Sequence, residues 1–508
     1  MNTNNAVFYE TFLRLVRLGI GHTDKSGFKF QDSSFKSVDW ERLKALADAQ
    51  GLSAVVLDGM NSLPLKSLDA YGMPQMLRLE WIGEVLQNYE ARYKAYEKAI
   101  GSLAGWYNEH GFKMMVLKGY ACALDWPRPE HRPCGDIDIW LFGAQKEADE
   151  VLSHTDFTDN TDKIAGQARN EGFRVQNQSR IRELENRVVI DNSHHHHTVF
   201  EWQGFTVENH YDFVNVHAHR SSREMEAIFK VLGDFRNVDD NLNDNYGSPD
   251  GSKFQENQQE NLSTSKDSKN SNQELENSRM SLQIERIKQK GVAYGSKSDK
   301  NLSQNQSRIL ETYGTSDQGR ARELENSELL TAEGTNITNV LVNGEKVYLP
   351  SANLHGLFLM KHMVSHFAAA EISLRQVLDW AFFVEKHTND VDWKWLEGLL
   401  EKYHIKEFYN CINAICVEEL GFDSLELRVK SLESVDSVEF KSLKDRVLGD
   451  ILEPEWTAAE PRGFFRRMVY KYRRWQGNAW KQRLCYDESR TEMFWRGLWA
   501  KVILLVHG

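Results

Sequence analysis

Asp136 and Asp138 lie two positions apart in Gly135-Asp136-Ile137-Asp138-Ile139. In an extended chain alternate side chains share a face, so the two carboxylates are held side by side while Ile137 and Ile139 point into a core. Such a pair repels itself unless a cation sits between its members. Hard Mg²⁺ or Mn²⁺ carrying phosphate oxygens is the natural occupant. Taken alone, the spacing describes a solvated strand equally well, and context decides between the two. The run Phe112 to Leu117 (FKMMVL) reads as a buried strand that ends at Lys118-Gly119. A glycine at a strand-to-helix turn lets backbone N–H groups approach an anion, and Lys118 adds a point charge there. The plain alternative is a tight turn with a solvated lysine. A later strand, read as Thr198 to Val207 and on to Glu208, supplies a third acid, and in FTVENHYDF Glu208 shares a face with Thr206 and His210. Three carboxylates on adjacent strands are what two divalent ions need. One ion would hold the triphosphate and the leaving pyrophosphate, and the other would lower the pKa of an acceptor hydroxyl for in-line attack on the α-phosphorus.

Other residues make weaker claims. His194 to His197 form an unbroken run, and consecutive side chains of an extended segment face opposite ways, so all four cannot easily bind one metal. They read as a polar loop entering a strand, against one or two imidazoles near the phosphates. His362 and His366 are four apart on an expected helix, a zinc-compatible spacing, but no Glu follows His362 in the HExxH manner, which favours packing in a bundle. Arg375 and Asp379 read as an i, i+4 ion pair. Residues 462–483 hold eight basic residues and no acid around an apolar face of Phe465, Met468, Val469, Tyr472, Trp475 and Ala479. That pattern fits a packed helix with a solvated basic side, or a contact for RNA, an anionic lipid surface or an acidic partner.

The elements that must position these groups follow from apolar spacing. Residues 1–110 form a helical region, including a long helix from Leu77 to Tyr107 closed at Gly111. Residues 111–236 form a small mixed sheet with helices, interrupted by a polar insert at about 158–192. Residues 237–336 are rich in Asn, Ser, Gln, Lys and Glu, echo the first insert in RELEN and QELEN, and read as a low-complexity disordered insert without chemistry. Order returns in NITNVLVNGEKVYLP, where Asn343-Gly344 marks a hairpin, and a helical bundle follows over 337–460. Basic, aromatic helices complete the chain over 461–508. The fold class is α+β, a small mixed-sheet core flanked by helical regions.

Composition bounds the rest. The 508 residues are 41% hydrophobic and 27% charged, enough for a large core, and the net charge of −12 disfavours a general nucleic-acid coat. No apolar run approaches the ~18 residues of a membrane span and no signal-peptide pattern opens the chain, which points to a soluble, cytoplasmic protein. Five cysteines without a CxxC pair read as reduced thiols.

The stretches Val116 to Trp140 (VLKGYACALDWPRPEHRPCGDIDIW), His196 to Phe213 (HHTVFEWQGFTVENHYDF) and Leu354 to Leu396 resemble the bacterial uncharacterised nucleotidyltransferase family of the DNA polymerase β-like superfamily. The resemblance implies Asp136 and Asp138 as metal ligands and Glu208 as the third acid, with Lys118, Gly119 and Arg132 on phosphates. One departure is Tyr120, where the wider superfamily has a second small residue. The implied activity is Mg²⁺- or Mn²⁺-dependent transfer of a nucleoside monophosphate from an NTP, taken as ATP, by a two-metal mechanism. The acceptor would be a small molecule, sugar, RNA or protein. Two rivals stand beside it. A DxD glycosyltransferase would use the same acids for a sugar nucleotide, and an inactive member would serve as a scaffold.

Overall fold

The computed structural model describes residues 3–22, 38–63, 72–155, 188–235, 238, 336–425, 437–455 and 461–507. The two polar inserts expected from composition therefore lie almost wholly outside the described residues. All described residues belong to one unit, formed by residues 1–244 and 330–508.

The first helices are α1 (Thr3–Gly19), α2 (Trp40–Gln50) and α3 (Ser53–Asn61). Asp39 starts α2 by accepting the Arg42 N–H, and Gly51 ends it at φ 66°. The long helix expected from Leu77 is a continuous run of α4 (Gln75–Val85), one π-helical turn (Leu86–Ala91) and α5 (Arg92–Glu109). It stops at Gly111, whose φ is 82°. Then come β1 (Met115–Val116), the single turn α6 (Tyr120–Ala123), β2 (Ile137–Trp140), α7 (Gln145–His154), β3 (His197–Trp202), β4 (Phe205–His210) and α8 (Ser222–Leu232). After the second insert, β5 (Thr338–Val342) and β6 (Glu345–Leu349) form the hairpin that Asn343-Gly344 predicted. The remaining helices are α9 (Ala352–Ala369), α10 (Leu374–His387), α11 (Trp393–Lys402), α12 (Lys406–Glu418), α13 (Val438–Leu452), α14 (Phe464–Gly477), α15 (Ala479–Cys485) and α16 (Arg490–His507). Ser351 caps α9, and Ser373 caps α10 in a reciprocal box with Gln376.

One six-stranded mixed sheet runs in the order β3-β4-β2-β1-β6-β5. It joins the strands of residues 115–210 to the later hairpin through the parallel pair β1–β6. The single strand expected from Thr198 through Glu208 is two strands. Gln203 (φ 49°) and Gly204 (φ 81°) take positive φ in succession and turn the chain into an antiparallel hairpin. A glutamine at the first turn position is an uncommon signal, which is why the alternation reads straight through it. One face of the sheet carries Ile137, Ile139, Phe200 and Val207 against Tyr96, Ile100, Leu103 and Tyr107 of α5. Burying each such aliphatic side chain is worth about 1.5–3 kcal/mol. The opposite face is left for polar groups. All five cysteines are unpaired thiols, and among the described residues no helix is long and apolar enough to cross a membrane.

Candidate functional site

Register builds the site. β2 and β4 run parallel with Asp138 opposite Glu208, so the carboxylates stand side by side on the face turned away from α5. Two positions further along β4, His210 occupies the same face. On the other side of β4, the antiparallel partner of His210 is His197, which faces the same way. The His210 ring places Nε2 3.3 Å from Asp138 Oδ1 and 3.8 Å from Glu208 Oε2, and His197 Nε2 lies 3.9 Å from Glu208 Oε1. Among the described residues, Asp138, Glu208 and His210 form one group whose ligand atoms lie within 4.8 Å of each other; His196, His197 and His210 form another. Asp136, on the same side of the strand, is exposed at the mouth and stands outside both groups.

Lys118 extends from the turn after β1, where the Leu117 N–H donates to the Asp138 carbonyl, and its Nζ meets Asp138 Oδ1 at 2.9 Å. Gly119 has φ 65°, and a Cβ there would sit 2.5 Å from Tyr96 Oη and 3.3 Å from the Asp136 carbonyl. The Tyr96 hydroxyl donates to that carbonyl at 2.8 Å. Glycine is thus required by a helix-to-strand contact that fixes the start of the acidic strand. Tyr120 turns inward, and its hydroxyl donates to Glu97 Oε1.

These groups line a cleft of about 690 Å³ between the sheet face and α9 and α10. His362 and His366, expected to pack within a bundle, instead line the wall facing the acids. The structure also reassigns Asp379. It pairs with Arg132 rather than Arg375, accepting from Nε at 2.7 Å and Nη2 at 2.9 Å, and from Trp126 Nε1 at 2.9 Å. Arg132, expected on phosphates, therefore spends its fork on a buried carboxylate. Arg375 is left lining the cleft with a buried Nε that has no hydrogen-bond partner. Lys361, 3% exposed, lines the same cleft with Nζ over the Tyr486 ring. Sequence reasoning missed both cations, because Arg375 has a nearer candidate partner at i+4 and Lys361 sits within an apolar helical run.

The electrostatics separate the acids. Burial alone would raise Asp138, but the Lys118 charge and the His210 hydrogen bond hold its carboxyl well below the usual range. Glu208 is pushed up to about 7 by burial and then by the Asp138 charge. Asp136 is raised for the same two reasons. Burial and the neighbouring His210 push His196 down to about 2 and His197 down to about 4. Lys361 is pushed down to about 8 by burial. One permanently ionised acid thus stands beside one that titrates near neutrality, above a wall of cations. That arrangement can bind a divalent cation and a polyanion together, and move a proton.

The acids and cations that line this cleft are compatible with a transferase acting on an anionic substrate. A family model described as an uncharacterised nucleotidyltransferase matches residues 36–234 and 318–421, more than half of the chain, and the chain belongs to that family. Membership implies a nucleoside triphosphate substrate and a divalent metal in general. No curated protein and no solved structure matches the chain.

At the far end of the chain, α14 buries none of its residues. Phe464 is 76% exposed, Phe465 74% and Met468 52%, beside exposed Arg466, Arg467 and Lys471.

Proposed function

We propose that the protein transfers a nucleoside monophosphate from an NTP, with ATP as the donor, to an acceptor hydroxyl or phosphate and releases pyrophosphate, on a polymerase β-like core. The observation that carries this reading is the parallel register of Asp138 and Glu208 facing a cleft walled by Lys118, Lys361 and Arg375. The donor set fits a divalent ion: a buried and a half-buried carboxylate side by side, with His210 Nε2 turned toward both. Asp136, Asp138 and Glu208 would hold it. Bound Mg²⁺ or Mn²⁺ supplies charge neutralisation at the phosphates and acidifies the acceptor. Lys118 keeps Asp138 ionised. Arg375 and Lys361 take the phosphate role that Arg132 cannot fill while it is bound to Asp379. Glu208 helps activate the acceptor, taking its proton as the new O–P bond forms and the bond to pyrophosphate breaks.

The test is transfer of label from α-labelled NTPs to acceptors in a cell extract, by wild type and by the Asp136→Asn/Asp138→Asn double variant. Transfer undiminished in the variant would refute the assignment. Preferential binding of UDP-sugars would favour the glycosyltransferase. Tight NTP binding without turnover across a broad acceptor panel would favour the scaffold.

For the partner surface at 462–483 we infer an anionic lipid interface rather than RNA. Phosphate contacts need cations, but they do not call for an uncovered row of Phe464, Phe465 and Met468 beside those cations. Co-sedimentation with phosphatidylglycerol vesicles, and not with phosphatidylcholine vesicles, is expected. Binding to RNA without binding to vesicles would overturn the inference.

A further inference from the structure

The three histidines at the β3–β4 end carry a feature that nucleotidyl transfer does not use. His197 begins β3 and has both ring nitrogens buried without a hydrogen-bond partner, and His196 Nδ1 is buried in the same condition. Buried polar nitrogens ordinarily find partners, and three orphans in two adjacent residues mark a place where something polar or charged is expected. His210 completes the group. Its Nδ1 lies 3.2 Å from the Asp212 carbonyl, and its Nε2 is turned toward Asp138 and Glu208. That geometry leaves Nε2 within reach of a cation shared with the carboxylates. An Nδ1–H held by a backbone carbonyl is also how metal-ligating histidines are oriented. The backbone is braced as well: the His196 carbonyl accepts from the N–H groups of Tyr211 and Asp212 at 3.0 and 3.1 Å. This ties the histidine run to the end of β4.

We propose that His196, His197 and His210, with Glu208 as a fourth ligand, form a site for one transition-metal dication of the zinc type. The nitrogen atoms lie within 4.8 Å of each other, and Glu208 oxygens stand 3.8 Å from His210 Nε2 and 3.9 Å from His197 Nε2. A tetrahedral ion with bonds of about 2.0–2.1 Å needs donors roughly 3.4 Å apart, which small χ rotations supply. Three imidazoles and one carboxylate suit zinc, whereas magnesium demands oxygen ligands in an octahedron. Glu208 therefore stands between a nitrogen-rich site and the oxygen-rich Asp138. His362 and His366 face the same cleft but lie outside the cluster.

The site needs no nucleotide, so it is tested apart from nucleotidyl transfer. The full chain, stripped with chelator, is titrated with Zn²⁺ by calorimetry in the presence of excess Mg²⁺. Binding of one Zn²⁺ per chain is expected, weakened at least about 100-fold in the His196→Ala/His197→Ala variant. A readout on unaltered protein accompanies it: the Co²⁺-loaded wild type should show paramagnetically shifted ring-proton resonances from three histidines. No Zn²⁺ binding, displacement by Mg²⁺, equal affinity in the variant, or fewer than three shifted histidines would each overturn the site. Label transfer is tested separately at Asp136 and Asp138, neither of which belongs to the proposed zinc ligand set.

Discussion

Replacing Asp379 with alanine isolates the contact that holds the α10 wall against the Pro-rich loop before the acidic strand. Its carboxylate accepts from Arg132 Nε and Nη2 at 2.7 and 2.9 Å and from Trp126 Nε1 at 2.9 Å, and the Arg132 and Asp379 side chains are only 6% and 7% exposed. Removing it strands a buried guanidinium, at about 3–5 kcal/mol. It also leaves the Trp126 N–H unpaired, at about 1–3 kcal/mol. A loss of about 4–8 kcal/mol is therefore expected, a large part of the ~5–15 kcal/mol by which domains are stable. Removing both charges in Arg132→Met/Asp379→Ala should cost less than Asp379→Ala alone, because no buried ion is left unpaired. Urea unfolding followed by circular dichroism gives all four corners of the cycle, with a coupling of at least about 2 kcal/mol. A loss below about 1 kcal/mol for Asp379→Ala, or strictly additive single variants, would show that Arg132 is not bound as described and return it to the phosphates.

Three further outcomes are expected. Glu208→Gln should lower label transfer by about 10³-fold, the equivalent of ~4 kcal/mol of lost charge stabilisation and proton acceptance, while circular dichroism stays unchanged. Gly119→Ala should destabilise by about 2–3 kcal/mol, from the left-handed φ and the displaced Tyr96 hydroxyl; Tyr96→Phe in the same chain should recover part of it in thermal unfolding. Lys361 has a folded pKa of about 8, below its ordinary 10.5, so the unfolded chain binds more protons between those values and stability rises with pH across that window. Denaturation at several pH values should show wild type gaining on Lys361→Met by at most about 1.4 kcal/mol per pH unit there, with the variant the more stable at pH 7 and the weaker NTP binder in calorimetry.

Local chemistry was readable in the sequence wherever a short range decides it. The alternation in DIDIW put Asp138 opposite a core face, and Asn343-Gly344 announced its hairpin. The site itself depends on pairings that no local pattern encodes. Glu208 meets Asp138 only because β4 pairs parallel with β2, after a hairpin hidden by Gln203. Asp379 chooses Arg132, 247 positions away, over Arg375 four positions before it, because the bidentate fork arrives from the facing loop. The histidine run looked like a polar loop for the same reason: its partner, His210, is brought to it by cross-strand register.

Val238 and Ile337 face each other in a parallel bridge, the described residues on either side of a stretch of nearly one hundred positions. The chain thus leaves and rejoins the sheet at one doorway. Because the bridge holds the two ends beside each other, this junction is a suitable port for grafting a reporter or a whole foreign domain.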